Sequence, residues 1–173
     1  MRRIEKNVGP QFSFLRYLLV SQNRSNPFNG GEMTDKEPAK DASEQSPRPL
    51  DGRLVLVVEN DSDTLQILKF VLEQNGADVV PTDTVRTALE QFERQRPDVI
   101  LADIAMPDLN GYALITEIRR MDAERGSHTK AIAVTAFSTQ RDKELAFASG
   151  FEGYITKPFD PRVLVETLVK VIQ

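Results

Sequence analysis

Three features of the sequence predict a doubly wound α/β fold, a five-stranded parallel sheet with helices on both faces. Short runs rich in Val, Ile and Leu alternate five times with longer segments whose apolar residues recur every three or four positions. The runs are nearly unbroken, as strands buried on both faces must be, and right-handed crossovers then put helices on both sides of a parallel sheet. Helix stops fall at the joints, at Asn75-Gly76, Arg96-Pro97 and Ser149-Gly150.

In chain order, the strands are expected at 54–58, 77–80, 99–102, 131–134 and 153–155. Helices are expected near 62–74, 84–95, 111–121, 138–148 and 161–172. Leu65, Leu68, Val71 and Leu72 form one apolar face of the first helix, and Val163, Leu164, Leu168, Val171 and Ile172 that of the last. Stripes of this kind are core, so they are assigned no ligand.

The 173 residues are 40% apolar and 28% charged, which fits one globular domain with a tail. The absence of cysteine excludes a disulfide framework, a thiol nucleophile and a Cys-built metal site. Residues 1–52 sum to +1 and residues 53–173 to −5. The ordered part therefore lacks the basic footprint of a nucleic-acid-binding domain. The longest apolar stretch of the tail, Phe12 to Val20, is broken by Arg16 and is far too short to span a bilayer, and no export site follows it. It is too short for a firm membrane-surface helix. Asn-Pro, Gly-Gly, Ser-Pro and Pro-Arg-Pro follow, so residues 1–52 are expected to be a flexible, disordered extension and residues 53–173 the folded domain. The codons for Gly30-Gly31-Glu32 can spell a ribosome-binding sequence before Met33, which makes Met33 a candidate start.

In doubly wound folds ligands sit beyond the carboxyl ends of the strands. The residues there are Glu59-Asn60-Asp61, Asp103, Thr135-Ala136 and Thr156-Lys157-Pro158. Carboxylates at the ends of neighbouring strands repel one another and call for a cation, and hard oxygen ligands suit Mg²⁺. Lys157 adds a compact positive charge. The Thr135 hydroxyl and the backbone N–H groups after Asp103 complete a site able to hold a tetrahedral oxyanion around a carboxylate. This is the chemistry of phosphoryl transfer to an aspartate. Asp61, Asp63 and Asp108 read as cap, surface and turn residues, and His128 as a solvated loop residue.

Five segments together, Leu54–Asp61, Val99–Pro107, Asn110-Gly111, Ala133–Ala136 and Gly153–Phe159, resemble the receiver domain of two-component response regulators, end to end over 53–173. The resemblance implies a flavodoxin-like fold with strand order 2-1-3-4-5. It implies that Asp103 is the phosphoacceptor and that Mg²⁺ is held by Glu59, Asn60, Asp103 and the carbonyl of Ala105. Thr135, Ala136 and Lys157 would bind the phosphoryl group, Thr135 and Tyr154 would form the switch, and Met106-Pro107 and Gly111 would shape the acceptor loop.

The implied partners are a histidine kinase or histidine phosphotransfer protein, and a downstream protein. The downstream protein would bind the face of strand 4, helix 4, strand 5 and helix 5, where Phe137, Phe147, Phe151 and Tyr154 offer apolar surface. Phosphorylation-dependent dimerisation is a further outcome the family admits. No nucleic acid, membrane span or enzymatic turnover beyond the domain's own phosphorylation and dephosphorylation is expected, and the expected location is cytoplasmic. The last helix ends at the chain terminus, which suggests a stand-alone receiver.

Asn60 departs from the pattern, since the family usually has Asp there. A neutral amide is expected to weaken Mg²⁺ binding, with Asn60→Asp restoring it. The alternative is a degenerate receiver that binds proteins without phosphorylation. Two enzyme classes fit less well. No G-x-x-x-x-G-K-[ST] or G-x-G-x-x-G loop is present for a nucleotide. Aspartate-nucleophile phosphohydrolases typically carry a second acid two residues after the nucleophile, where this chain has Ala105.

Overall fold

The computed structural model describes residues 47–106 and 111–173. The expectations for Phe12–Val20, for Met33, and for Pro107, Asp108 and Asn110 lie outside the described residues. Five strands, β1 (Leu54–Val58), β2 (Asp78–Thr82), β3 (Val99–Ala102), β4 (Lys130–Thr135) and β5 (Gly153–Thr156), form one sheet in the order β2-β1-β3-β4-β5. Every pairing is parallel. The helices are α1 (Ser62–Gln74), α2 (Val85–Gln95), α3 (Gly111–Arg125), α4 (Gln140–Ser149) and α5 (Pro161–Ile172).

Alternate residues of the central strands point to opposite faces, so the sheet supports two cores. Leu56, Val58, Ile100, Ala102, Ala131 and Ala133 pack under Phe92 of α2, Leu114, Ile115 and Ile118 of α3 and Ala146 of α4. Val55, Val57, Val99, Leu101, Ile132 and Val134 pack under Leu68, Val71 and Leu72 of α1 and Leu164, Val165 and Leu168 of α5.

Local chemistry sets where the elements begin and end, and in several places moves the limits expected from the sequence. α4 starts at Gln140 rather than 138 because Thr139 caps it, its hydroxyl accepting from the Asp142 N–H while the Asp142 carboxylate accepts from the Thr139 N–H. α2 likewise starts one residue later than expected, behind the cap Thr84. α3 runs on to Arg125, since no stop occurs before Gly126, whose φ of 66° suits glycine. β2 begins one residue later than expected and continues through Pro81 to Thr82.

Pro81 is tolerated because of the ladder's phase. The Asp78 N–H donates to the Arg53 carbonyl and the Thr82 carbonyl accepts from the Glu59 N–H, so residues 78, 80 and 82 face β1. Pro81 faces away, on the edge of the sheet, where its missing N–H breaks no bond.

Packed structure also begins before the boundary expected at 53. Leu50 is 1% exposed in the α1/α5 core, its N–H donates to the Asn75 carbonyl, and an Arg48–Asp51 ion pair closes the turn around it.

Candidate functional site

All five strands are parallel, so their carboxyl ends lie on one edge, and the ladders run one residue past the strands to fix the first residues of the loops. The Asp103 N–H donates to the Val58 carbonyl, the Glu59 N–H to Thr82 and the Lys157 N–H to Thr135, at 2.8–3.0 Å. Glu59, Asp103 and Lys157 are thereby anchored by backbone bonds that do not depend on their side-chain contacts.

Their side chains converge. Lys157 Nζ donates to Glu59 Oε2 at 2.5 Å and to Asp103 Oδ2 at 2.7 Å. The other oxygens are taken locally, Glu59 Oε1 by the Asp61 N–H at 3.1 Å and Asp103 Oδ1 by the Ala105 N–H at 2.8 Å. Glu59 is 1% exposed and Asp103 6%. Burial pushes the Glu59 carboxyl up and the Asp103 charge adds to this, while Lys157 and the Asp61 N–H oppose it without cancelling it. Burial alone would lower the Lys157 ammonium, but its bonds to Asp103 and Glu59 outweigh that effect and hold it above its ordinary value.

Thr135 is fully buried at the end of β4, and its hydroxyl accepts from the Phe137 N–H at 3.4 Å. Tyr154 of β5 donates its hydroxyl to the carbonyl of the same residue at 2.9 Å. The two expected switch residues thus hold opposite ends of Phe137, a residue that is 43% exposed. Burial, together with the Asp142 charge, raises the Tyr154 phenol. Lys143 Nζ stands 5.9 Å from its ring centre.

The other expected residues fall into place around this centre or away from it. Asn60 is exposed beside Glu59, with no side-chain hydrogen bond among the described residues. Ala105 and Ala136 are exposed at the rim. Asp61 caps α1 through the Thr64 N–H. Phe151, expected on the open face, is buried against the α2–α4 core because the chain turns inward there after Gly150. Phe137 and Phe147 are exposed as expected, and Leu145 joins them. His128, though largely exposed, pairs with Glu152.

The closest packing at the site was legible in kind but not in degree. The Gly111 N–H donates to the Ile104 carbonyl, and a Cβ at Gly111 would lie 2.5 Å from the Asp103 carbonyl oxygen.

Among the described residues no three His, Cys, Asp or Glu side chains converge on a metal position. The donor set at the strand ends does fit a hard divalent cation that keeps some of its waters. It offers the two adjacent carboxylates Glu59 and Asp103, the unengaged amide of Asn60 and the exposed backbone of Ala105.

A parallel sheet of this order, with two carboxylates, a lysine and a buried threonine at its carboxyl edge, fits the class of receiver domains in two-component signalling. Residues 55–169 match the family described as response regulator receiver domain, and the chain belongs to that family. It is 40% identical over 111 residues to an uncharacterized 14.6 kDa protein in the sodA1 3' region of Leptolyngbya boryana, a match covering 64% of this chain and 83% of that one. It is 32% identical over 122 residues to the phosphate regulon transcriptional regulatory protein PhoB of Escherichia coli. That match covers 70% of this chain but only 52% of PhoB. Among solved structures, chemotaxis protein CheY4 of Vibrio cholerae superposes with a TM-score of 0.64 at 28% identity, covering 69% of this chain and 98% of that one. No described helix is long and apolar enough to cross a membrane.

Proposed function

We propose that the protein is a phosphoacceptor in a two-component relay, taking a phosphoryl group from a phosphohistidine of a kinase or phosphotransfer partner onto Asp103. The observation that carries this reading is the bridge of Lys157 to both Glu59 and Asp103 at a buried strand edge. One Asp103 oxygen attacks phosphorus, the N–P bond breaks, and its electron pair returns to the imidazole of the donor. Lys157 follows the new negative charge and the backbone N–H of Ala105 stays aimed at the acceptor side chain. Thr135 and the N–H of Ala136 supply further donors. Mg²⁺, held by Glu59, Asn60, Asp103 and the Ala105 carbonyl, would neutralise charge on the transferring group.

Drawing the Thr135 hydroxyl toward the phosphoryl group frees the Phe137 N–H, and Tyr154, the second switch residue, rotates inward and gives up its bond to the Phe137 carbonyl. The signal would therefore reach the surface of Phe137, Leu145 and Phe147, where a downstream protein or a second phosphorylated copy binds. The protein acts as a cytoplasmic signalling module and not as an enzyme with turnover. Asn60 is the one observation favouring phosphorylation-independent binding instead.

Intact mass after incubation with Mg²⁺ and acetyl phosphate tests the proposal. A single phosphoryl adduct that is lost in Asp103→Asn is expected. No adduct on the wild type, together with unchanged partner binding by Asp103→Asn, would leave the phosphorylation-independent module.

A further inference from the structure

The charge count around Asp103 carries an inference about how this site acquires its cation, and it rests on the phosphoacceptor reading. Two buried carboxylates share one ammonium, and the neighbouring Asn60 brings an oxygen without a charge. With all three ionised groups charged, the cluster carries a net −1. Each of the four carboxylate oxygens already accepts a hydrogen bond, from Lys157 Nζ, the Asp61 N–H or the Ala105 N–H. A divalent cation approaching this cluster meets little net charge, and at Glu59 Oε2 or Asp103 Oδ2 it must compete with the lysine for the oxygen's electron pairs.

A tetrahedral anion on Asp103 changes both conditions. It adds negative charge to the cluster, and it gives Lys157 other oxygens to bind, which releases the two carboxylates.

We propose that this site recruits its divalent cation together with the phosphoryl group instead of holding one in advance, and that Asn60 sets that order. The coupling is reciprocal: an anion that raises cation affinity has its own affinity raised by the same factor. An acid at position 60 would double the net charge to −2 and supply an oxygen that Lys157 does not hold, so the cation would bind before the anion.

The test uses the full chain, with Mn²⁺ as the cation, followed by the loss of its free electron paramagnetic resonance signal, and beryllofluoride as an unreactive phosphoryl mimic. In the wild type, beryllofluoride should raise Mn²⁺ affinity by about tenfold or more. Without beryllofluoride, Asn60→Asp should bind Mn²⁺ about tenfold or more tighter than the wild type, and should gain less when the anion is added. Equal Mn²⁺ affinity of the two proteins without the anion would overturn the proposal, as would a wild-type affinity that beryllofluoride leaves unchanged. Thermal melts give a second readout: EDTA should lower the melting temperature of metal-loaded Asn60→Asp more than that of the wild type in the same Mn²⁺, and equal sensitivity would count against the proposal. Failure of the phosphoacceptor reading is seen separately, as the absence of a phosphoryl adduct at every Mg²⁺ concentration. The comparison of Asn60→Asp with the wild type involves no phosphoryl transfer and decides the role of Asn60 in either case.

Discussion

Replacing Gly111 by alanine isolates the fit between α3 and the acceptor loop. Gly111 does not have a positive φ, so alanine is permitted by the backbone, and in a helix the exchange would by itself stabilise by up to about 1 kcal/mol. The added methyl lies 2.5 Å from the Asp103 carbonyl oxygen, 2.9 Å from Ile104 Cα and 3.1 Å from the Asp103 carbonyl carbon. All three are backbone atoms held by the Asp103-to-Val58 and Gly111-to-Ile104 hydrogen bonds, so no side chain can swing aside. Restoring ordinary contact requires the helix start and the acceptor peptide to part by about 0.9 Å, and overpacking on that scale costs about 1–3 kcal/mol. The steric term wins, and the melting temperature should fall by roughly 3–10 °C. A displacement of this size at the nucleophile should also slow formation of the phosphoryl adduct by about 10–100-fold, read as intact mass against time with acetyl phosphate. An alanine variant that melts at or above the wild type and is phosphorylated at the same rate would refute the reasoning, because the loop would then yield without cost.

Lys157→Met leaves Glu59 and Asp103 buried beside each other with no counter-charge, and should destabilise the domain at pH 7 by about 3 kcal/mol. The Glu59 carboxyl is already raised above its ordinary 4.5, so stability linked to it is full below about that pH and is lost as pH rises through the raised value; the deficit of the variant should shrink in melts run near pH 4. Asp122→Asn disturbs a buried acceptor of Ser127, both Thr129 donors and Arg119, and should cost about 3 kcal/mol at neutral pH. Although burial opposes it, those donors hold the Asp122 carboxyl below 3.8, so its contribution is present above that pH and fades as pH falls through the lowered value; a gap to the wild type that did not narrow in acid melts would contradict this. Leu50→Ala should cost about 2–4 kcal/mol in urea unfolding, and a chain starting at residue 53 should lose at least as much relative to one starting at 47.

The strands and their order were readable because each central strand is an unbroken apolar run, and a parallel, doubly covered sheet leaves such runs little alternative. Glu59, Asp103 and Lys157 stood out for the same reason, as charges placed directly after buried strands. Three features escaped. Asp122 interrupts the Ile115 and Ile118 stripe of α3 with a carboxylate, and only the Arg119, Ser127 and Thr129 donors brought in by the fold make its burial tolerable. Leu50 lies among Pro47, Pro49 and Gly52, a composition that signals loop and hides a core anchor. The start of α4 had a usable signal in Thr139-Gln-Arg-Asp142, whose spacing is that of a capping box. Asn60 was visible as a departure from the pattern, but the effect proposed for it rests on the bonds of Lys157 to both carboxylates, which only the folded arrangement reveals.

Pro81 also determines how the sheet meets other chains. Of the outward-facing residues of β2, Val79 retains an N–H and Pro81 has none, so the exposed margin on that side presents a single amide donor. An incoming strand would find acceptors there without the regular donors that a ladder needs. The β2 margin is therefore a poor template for growth by strand addition, whether in self-assembly or in aggregation from a partly unfolded state.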